Sequence, residues 1–129
     1  MSNPILIVDG SDCCRRLMKY VLAVFHIQAT TAPDARTAWR AIESCTPSLV
    51  VLDIVLPDTD GLEFVRAVKA RGIAAIAVTG RAMVGDRKRA LEAGCVDYVT
   101  KPIDTRTIAN VVMHQLAART TRDVTLDPS

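Results

Sequence analysis

The sequence predicts an α/β fold in which a five-stranded parallel sheet carries helices on both faces. The first observation is a strict alternation, in which five short apolar runs are each followed by a longer stretch with helical spacing. The second is that the strongest runs are continuously apolar, which is typical of strands buried on both faces. The third is the length of 129 residues, half of them hydrophobic, which suits one domain with its own core. Together these observations favour a doubly wound sheet.

The first two strand–helix units lie between residues 5 and 42. Ile5–Val8 is a continuous apolar run and predicts the first strand, and Ile27–Thr31 predicts a weaker second strand. Pro33 fits the first turn of the second helix, because a helix leaves that N–H unpaired in any case. The apolar face of the first helix comprises Cys14, Leu17, Met18, Val21, Leu22 and Phe25. The face of the second comprises Ala35, Ala38, Trp39 and Ile42.

The other three units lie between residues 48 and 116. Asp60 is placed to cap the third helix, Gly72 to end it, and Asp104 to cap the fifth helix. The predicted strands are Ser48–Leu52, Ile73–Val78 and Val96–Val99, and the fourth helix is predicted over Val84–Ala93. The third helix presents Leu62, Val65 and Val68, and the fifth presents Ile108, Val111, Val112 and Leu116. From Arg119 the sequence turns polar, so we predict a domain over residues 1–118 and a polar tail or linker over residues 119–129.

Composition and charge exclude several classes of function. The chain has 16 Lys and Arg against 14 Asp and Glu, and a net charge of +2 gives no argument for nucleic acid or an anionic membrane surface. No apolar run approaches the length of a membrane span, and no secretory leader is recognisable. The four cysteines form no C-x-x-C pair. We therefore expect a cytoplasmic protein with reduced, structural thiols.

Four polar residues follow strands of the predicted sheet. Asp9 ends the first strand, Asp53 the third and Thr79 the fourth, and Lys101 follows the fifth. In doubly wound sheets the carboxyl ends of the strands form the functional edge, so these side chains are expected to converge. Carboxylates suit Mg²⁺, an ammonium and a cation can offset phosphoryl charge, and a hydroxyl can donate a hydrogen bond. A carboxylate in such a pocket can act as a nucleophile and form an acyl phosphate.

Signatures of other doubly wound families are absent from the sequence. Residues 9–14 follow the first strand without the G-x-G-x-x-G of dinucleotide-binding proteins, and no P-loop motif occurs. A phosphohydrolase with an aspartyl nucleophile would place an Asp-x-Asp pair directly after the first strand, whereas Asp58 and Asp60 lie beyond the third strand. The sequence therefore does not favour an enzyme of another doubly wound family.

The sequence resembles the receiver domain of two-component response regulators over residues 4–118. Pro57 and the pair Asp60-Gly61 stand after Asp53 as they do in that family's phosphorylation loop. The set of motifs is specific as a whole, although each piece is short. The matching stretches are Ile5–Asp9, Leu52–Gly61, Ala77–Gly80 and Asp97–Pro102.

The resemblance implies a flavodoxin-like fold with strand order 2-1-3-4-5 and a set of site residues. Asp53 would accept the phosphoryl group, and Thr79 and Lys101 would contact it. Asp9, Asp53 and the main-chain carbonyl of Val55 would hold Mg²⁺. The peptide bond before Pro102 is commonly cis in the family, which would aim the lysine at the pocket.

The resemblance also implies a regulatory role and a set of partners. A sensor histidine kinase or phosphotransfer protein would donate the phosphoryl group, and Tyr98 would turn inward as Thr79 is drawn to it. The domain would catalyse its own phosphorylation without being a metabolic enzyme. Its output would be a downstream protein target or an effector domain not contained in this sequence, and a homodimer is a further option.

Gly10 departs from the family pattern, which usually has two adjacent acidic residues after the first strand. The pocket therefore lacks one carboxylate, and we expect Mg²⁺ to bind more weakly. Asp12 is a further candidate ligand, although it can equally serve as the N-cap of the first helix. Two functions remain open: a phosphorylation-dependent switch, or a degenerate receiver that binds proteins independently of phosphorylation. An introduced substitution at position 10 would also explain the glycine.

Overall fold

A computed structural model describes residues 3–80 and 84–126, with side chains described as far as residue 118. Strands and helices alternate along the described chain without exception. In chain order they are β1 (Ile5–Val8), α1 (Asp12–Val24), β2 (Ala29–Ala32), α2 (Ala35–Ser44), β3 (Val50–Asp53), α3 (Gly61–Ala70), β4 (Ala75–Thr79), α4 (Asp86–Ala93), β5 (Asp97–Thr100) and α5 (Thr105–Leu126). The predicted α/β alternation is confirmed.

All paired strands are parallel, and the sheet has the order β2-β1-β3-β4-β5. The register aligns the carboxyl ends of the strands. Val8 lies opposite Leu52, and Asp53 lies opposite Val78. The strand order reverses between β1 and β3, so the ends of β1 and β3 border the crevice where doubly wound sheets place their sites.

The core consists of two apolar layers, one on each face of the sheet. Successive residues of each central strand alternate between the layers: Leu6 and Val8 belong to one, and Ile5 and Ile7 to the other. The first layer includes buried residues of α2, α3 and α4, and the second includes those of α1 and α5. Burial on both faces explains why β1, β3 and β4 are continuously apolar in the sequence.

Helix α1 begins one residue earlier than an N-cap at Asp12 would place it. Ser11 is the N-cap and accepts a hydrogen bond from the backbone N–H of Cys14, whereas Asp12 is the first helical residue. The alternative role of Asp12 as the N-cap is therefore wrong. Leu17 and Phe25, assigned to the apolar face, are exposed, because Met18, Val21 and Leu22 carry the packing against the sheet and α5.

Helix α2 is capped by Asp34, and the prediction that Pro33 lies in its first turn is wrong. The Asp34 side chain accepts a hydrogen bond from the N–H of Thr37, and this bond lowers the pKa of the Asp34 carboxyl. The Asp34 carboxylate accepts from an N–H that has no partner within the helix. Pro33 precedes this N-cap and so lies just outside the helix.

Strand β2 begins two residues later than predicted. His26 adopts a left-handed backbone with φ of 62°, and the N–H of Ile27 bonds to the carbonyl of Leu22. These contacts end α1, so Ile27 belongs to the helix terminus rather than to the strand. Strand β4 is shortened in the same way, because the N–H of Ile73 bonds to the carbonyl of Val68 at the end of α3.

The other predicted caps are confirmed. Asp60 accepts a hydrogen bond from Leu62 N–H, and Asp104 accepts from the N–H groups of Arg106 and Thr107. Gly72 has a φ of 78° and follows the end of α3. Helix α5 extends to Leu126 and so continues beyond the point where the polar composition predicted a tail. The domain boundary at residue 118 stays a prediction. Within residues 3–80 and 84–126, no helix has the length and apolarity needed to span a bilayer.

The four thiols are unpaired within the described structure and differ widely in exposure. Cys13 and Cys45 are exposed, Cys14 is half-buried and Cys95 is buried. Burial raises the pKa of the Cys95 thiol from 9.0 to about 11, against a smaller opposite effect of its hydrogen bond with the Ala77 backbone. Because the thiolate is the reactive form, burial and this raised pKa should both protect Cys95.

We predict that iodoacetamide at pH 8 labels Cys13 and Cys45 first and leaves Cys95 unmodified in the folded protein. Peptide mass spectrometry after timed labelling measures this, and the urea-unfolded chain, in which all four thiols should react, is the control. The folded state holds the Cys95 proton more tightly than the unfolded chain does. The contribution of this thiol to the free energy of unfolding is therefore complete below pH 9 and is lost as the pH rises through about 11. Rapid labelling of Cys95 at pH 8 would contradict its burial.

Candidate functional site

Three charged residues predicted from the strand ends meet at the carboxyl edge of the sheet. The Lys101 ammonium lies 2.8 Å from Asp53 Oδ2 and 2.9 Å from Asp9 Oδ2. Asp9 is 1% exposed and Asp53 is 8% exposed, so both carboxylates are buried. The parallel register explains the convergence, because β1 and β3 end side by side and β5 ends two strands away.

The Asp53 carboxylate is oriented by one contact on each oxygen. Its Oδ1 accepts a hydrogen bond of 2.9 Å from the N–H of Val55, and its Oδ2 accepts one of 2.8 Å from Lys101. The residual exposure of Asp53 shows that the carboxylate borders solvent at the edge of the pocket. A buried carboxylate fixed in this way is a positioned nucleophile for a small electrophile.

The Asp9 carboxylate has one satisfied oxygen and one that faces the pocket. Its Oδ1 accepts a hydrogen bond of 2.8 Å from Ser11 N–H. Its Oδ2 forms the ion pair with Lys101 but has no hydrogen bond with proper geometry among the described residues. The Arg15 guanidinium donates a 2.7 Å hydrogen bond to the Asp9 main-chain carbonyl and so stabilises the turn between β1 and α1. No motif in the chain indicated this role of Arg15.

Lys101 is held in the pocket by its backbone and by both acids. The bond between Lys101 and Pro102 is cis, as the resemblance implied. The backbone N–H of Lys101 donates a 2.7 Å hydrogen bond to the Thr79 carbonyl. Burial by itself lowers the pKa of Lys101, but the hydrogen bond with Asp53 and the contacts with Asp9 outweigh burial and raise it above its usual value. The contacts with both carboxylates therefore favour the charged ammonium form of Lys101.

Thr79 and Tyr98 lie on the strands that border the pocket on the other side. Thr79 is fully buried at the end of β4, opposite Thr100 of β5. The Tyr98 hydroxyl is buried and has no hydrogen-bond partner among the described residues. Burial, followed by the nearby charge of Asp86, raises the pKa of the Tyr98 phenol. The structure thus places the Tyr98 hydroxyl inside, next to the α4 side of the sheet.

Asp12 does not join the other acids. Its carboxylate pairs with Arg15 at 3.1 Å and with Arg16 at 2.9 Å, and its side chain is 62% exposed. In the part of the chain that the structure describes, no three acidic, histidine or cysteine side chains form a metal-binding group. The acidic donors that remain for a cation are the Asp9 and Asp53 carboxylates. These hard oxygens fit Mg²⁺, which binds one or two carboxylates and keeps several waters. The Asp9 Oδ2 atom, which has no hydrogen bond among the described residues, supports the fit.

The space around Gly10 would accept a side chain. A Cβ atom at this position would lie 3.7 Å from Pro57 Cδ and 3.9 Å from the Pro33 carbonyl, both ordinary van der Waals distances. Gly10 is also not among the glycines with positive φ. The backbone geometry of this loop therefore does not require a glycine at position 10.

The comparison with protein families agrees with this geometry. The family model described as response regulator receiver domain matches residues 5–113. This chain belongs to the response regulator receiver family. The flavodoxin-like strand order 2-1-3-4-5 implied by the resemblance is the order observed. Receiver domains act as regulators rather than as metabolic enzymes. Receiver domains in general bind Mg²⁺ at their acidic site and interact with histidine kinases, phosphotransfer proteins and effector domains.

Individual relatives support the same family. The uncharacterized 14.6 kDa protein in the sodA1 3′ region of Leptolyngbya boryana is 35% identical over 118 residues, which cover 88% of this chain and 90% of that one. The response regulator PleD of Caulobacter vibrioides is 34% identical over 108 residues, which cover 81% of this chain but 24% of PleD. A CheY-like receiver domain protein from Methanospirillum hungatei JF-1 superposes with a TM-score of 0.87 at 27% identity, covering 95% of this chain and 99% of that one. The chain thus spans most of some relatives and about a quarter of PleD.

Gly61 determines the shape of the loop between Asp53 and α3. Its N–H donates a 3.0 Å hydrogen bond to the Ile54 carbonyl, one residue after Asp53. A Cβ atom on Gly61 would come within 2.6 Å of the Ile54 carbonyl carbon, so the two backbone segments approach as only glycine allows. The motif indicated a glycine here, but its steric cause appears only when α3 is packed against the loop.

We predict that Gly61→Ala disrupts the pocket and that Gly10→Ala does not. The first change forces a clash with the Ile54 backbone and should lower the free energy of unfolding by about 1–3 kcal/mol. The second adds a methyl group at ordinary contact distances on an exposed residue and should change it by less than about 0.5 kcal/mol. Urea unfolding followed by circular dichroism measures both. Equal stability losses in the two variants would show that the close approach at Gly61 is unimportant.

Proposed function

We propose that this receiver domain is a phosphorylation-dependent switch in which Asp53 accepts a phosphoryl group from a histidine of a sensor kinase or phosphotransfer protein. A carboxylate oxygen of Asp53 forms a bond to phosphorus as the P–N bond to the donor histidine breaks. The electron pair of that bond returns to the imidazole nitrogen. The product is an acyl phosphate on Asp53.

The observation that carries this proposal is the paired contact of Lys101 with Asp53 and Asp9. The ammonium lies within 2.9 Å of both carboxylates, so it is already placed to offset charge on phosphoryl oxygens next to Asp53. Val55 N–H holds the other Asp53 oxygen and keeps the carboxylate in one orientation. Asp9, Asp53 and the Val55 carbonyl would hold Mg²⁺, which offsets phosphoryl charge when bound.

The switch itself would involve Thr79 and Tyr98. In the proposed mechanism the Thr79 hydroxyl donates a hydrogen bond to the phosphoryl group. The Tyr98 side chain changes its conformation when this hydrogen bond forms. Phosphorylation would favour one of two conformations that already exist, and the surface near α4, β5 and α5 would differ between them. The partner reading that surface would be a separate protein, a second copy or an effector domain elsewhere in a longer chain.

Gly10 supports a second candidate function, a receiver that binds its partner without phosphorylation. The pocket has one carboxylate fewer than the family usually has, and Asp12 pairs with arginines instead of replacing it. Weak cation binding would slow phosphorylation and leave a constitutive docking module. The complete set of Asp53, Thr79 and Lys101 favours the switch over this alternative.

We expect acetyl phosphate with Mg²⁺ to add one phosphoryl group to the protein and none to the Asp53→Ala variant. The reason is that the nucleophile, its orienting N–H and its cationic neighbour are all in place. Intact mass spectrometry measures the gain. No gain at high donor concentration, with the variant and wild type both folded by circular dichroism, would favour the docking module.

We further expect Gly10→Asp to lower the Mg²⁺ concentration that gives half-maximal phosphorylation by about tenfold, because it adds an anionic ligand to the site. The variant Gly10→Asn is the matched control, since it has nearly the same size without the charge. The measurement is the initial rate of mass gain over a Mg²⁺ titration. An equal effect of the asparagine would show that charge at position 10 does not limit metal binding.

A further inference from the structure

Asp58 links the phosphorylation loop to a helix that the proposed chemistry does not use. Its Oδ1 accepts a 3.0 Å hydrogen bond from Ala35 N–H, and its Oδ2 accepts one of 3.0 Å from Arg36 N–H. These are the first two residues of α2, whose N–H groups have no partner within the helix. Asp34, the N-cap, bonds to the third residue instead. The Asp58 carboxylate, which lies 23 residues after Ala35 and 22 after Arg36 in the chain, thus completes the cap of α2.

The loop that carries Asp58 is closed at its base. The Gly61 N–H bonds to the Ile54 carbonyl at 3.0 Å, and Val55 pairs with Asp60 in an isolated antiparallel bridge. Val55 also donates the hydrogen bond that orients Asp53 Oδ1. A displacement of the loop tip is therefore transmitted through a short, hydrogen-bonded turn to the carboxylate of the phosphoacceptor.

Gly10 increases the dependence of the loop on Asp58. Position 10 lies between Pro57 of the phosphorylation loop and Pro33 of the segment that leads into α2. A side chain at position 10 would contact both segments, but glycine provides none. The two hydrogen bonds of Asp58 are then the described side-chain hydrogen bonds that join these two segments.

We propose that Asp58 is a positioning residue for Asp53, because its hydrogen bonds to the start of α2 fix the loop whose Val55 N–H orients the nucleophile. The inference rests on the proposed function of Asp53 as phosphoacceptor. Asp58 itself touches neither a phosphoryl group nor the reacting atoms. Its negative charge also suits the positive end of the α2 dipole, which helps the contact to persist near the surface.

The test compares Asp58→Ala with Asp34→Ala, a matched control on the same helix. Both changes remove a carboxylate cap from α2 and should lower the melting temperature by similar amounts. Asp58→Ala should also slow phosphorylation by acetyl phosphate about fivefold, because an unfixed loop spends less time with Asp53 in its reactive orientation. Asp34→Ala should leave the rate within about twofold of wild type, since it does not touch the loop. Asp58→Asn keeps one acceptor oxygen and should give an intermediate rate.

A second measurement does not depend on phosphorylation. Amide hydrogen exchange should become faster at Val55 in Asp58→Ala and stay unchanged there in Asp34→Ala. Equal rates and equal Val55 exchange in the two variants would overturn the positioning role. If wild type gains no phosphoryl group, the proposed function fails, and faster Val55 exchange confined to Asp58→Ala would still establish that Asp58 fixes the loop.

Discussion

The Lys101 ammonium between Asp9 and Asp53 is the interaction on which the site depends. Two buried carboxylates at one edge of a sheet repel each other, and a cation between them offsets that repulsion. Lys101 lies within 2.9 Å of both and remains charged because these contacts raise its pKa. The ion pairs also connect the end of β5 to the ends of β1 and β3. In the proposed function, the same charge would be available to a phosphoryl group on Asp53.

The fold supplies this arrangement through turns that are individually capped. Ser11 caps α1 directly after Asp9, and Asp60 caps α3 directly after the loop that follows Asp53. Gly61 lets that loop close onto the Ile54 backbone, and Asp58 holds its tip against α2. Asp53 therefore lies at the end of a buried strand, beside a loop fixed by hydrogen bonds, which is the arrangement that a positioned nucleophile requires.

The charge balance of the pocket separates this chain from the usual receiver pattern. Two carboxylates and one ammonium leave one excess negative charge, and the glycine at position 10 contributes none. A smaller excess attracts Mg²⁺ less strongly but also leaves the unphosphorylated pocket with less repulsion to relieve. The same glycine opens the space between Pro33 and Pro57. Electrostatics and loop packing at this site therefore depend on the same position.

The sequence by itself determined the five strands and helices, the polar residues at the strand ends and the departure at Gly10. Those features are local, because a buried strand needs a continuous apolar run and the residue after it stands at the sheet edge. The tertiary structure decided the rest. It paired Asp12 with arginines instead of the pocket, set the distances from the Lys101 ammonium to both acids, and joined Asp58 to Ala35 across 23 residues. Such contacts depend on distances between segments far apart in the chain, and no periodicity or spacing in the sequence encodes those distances.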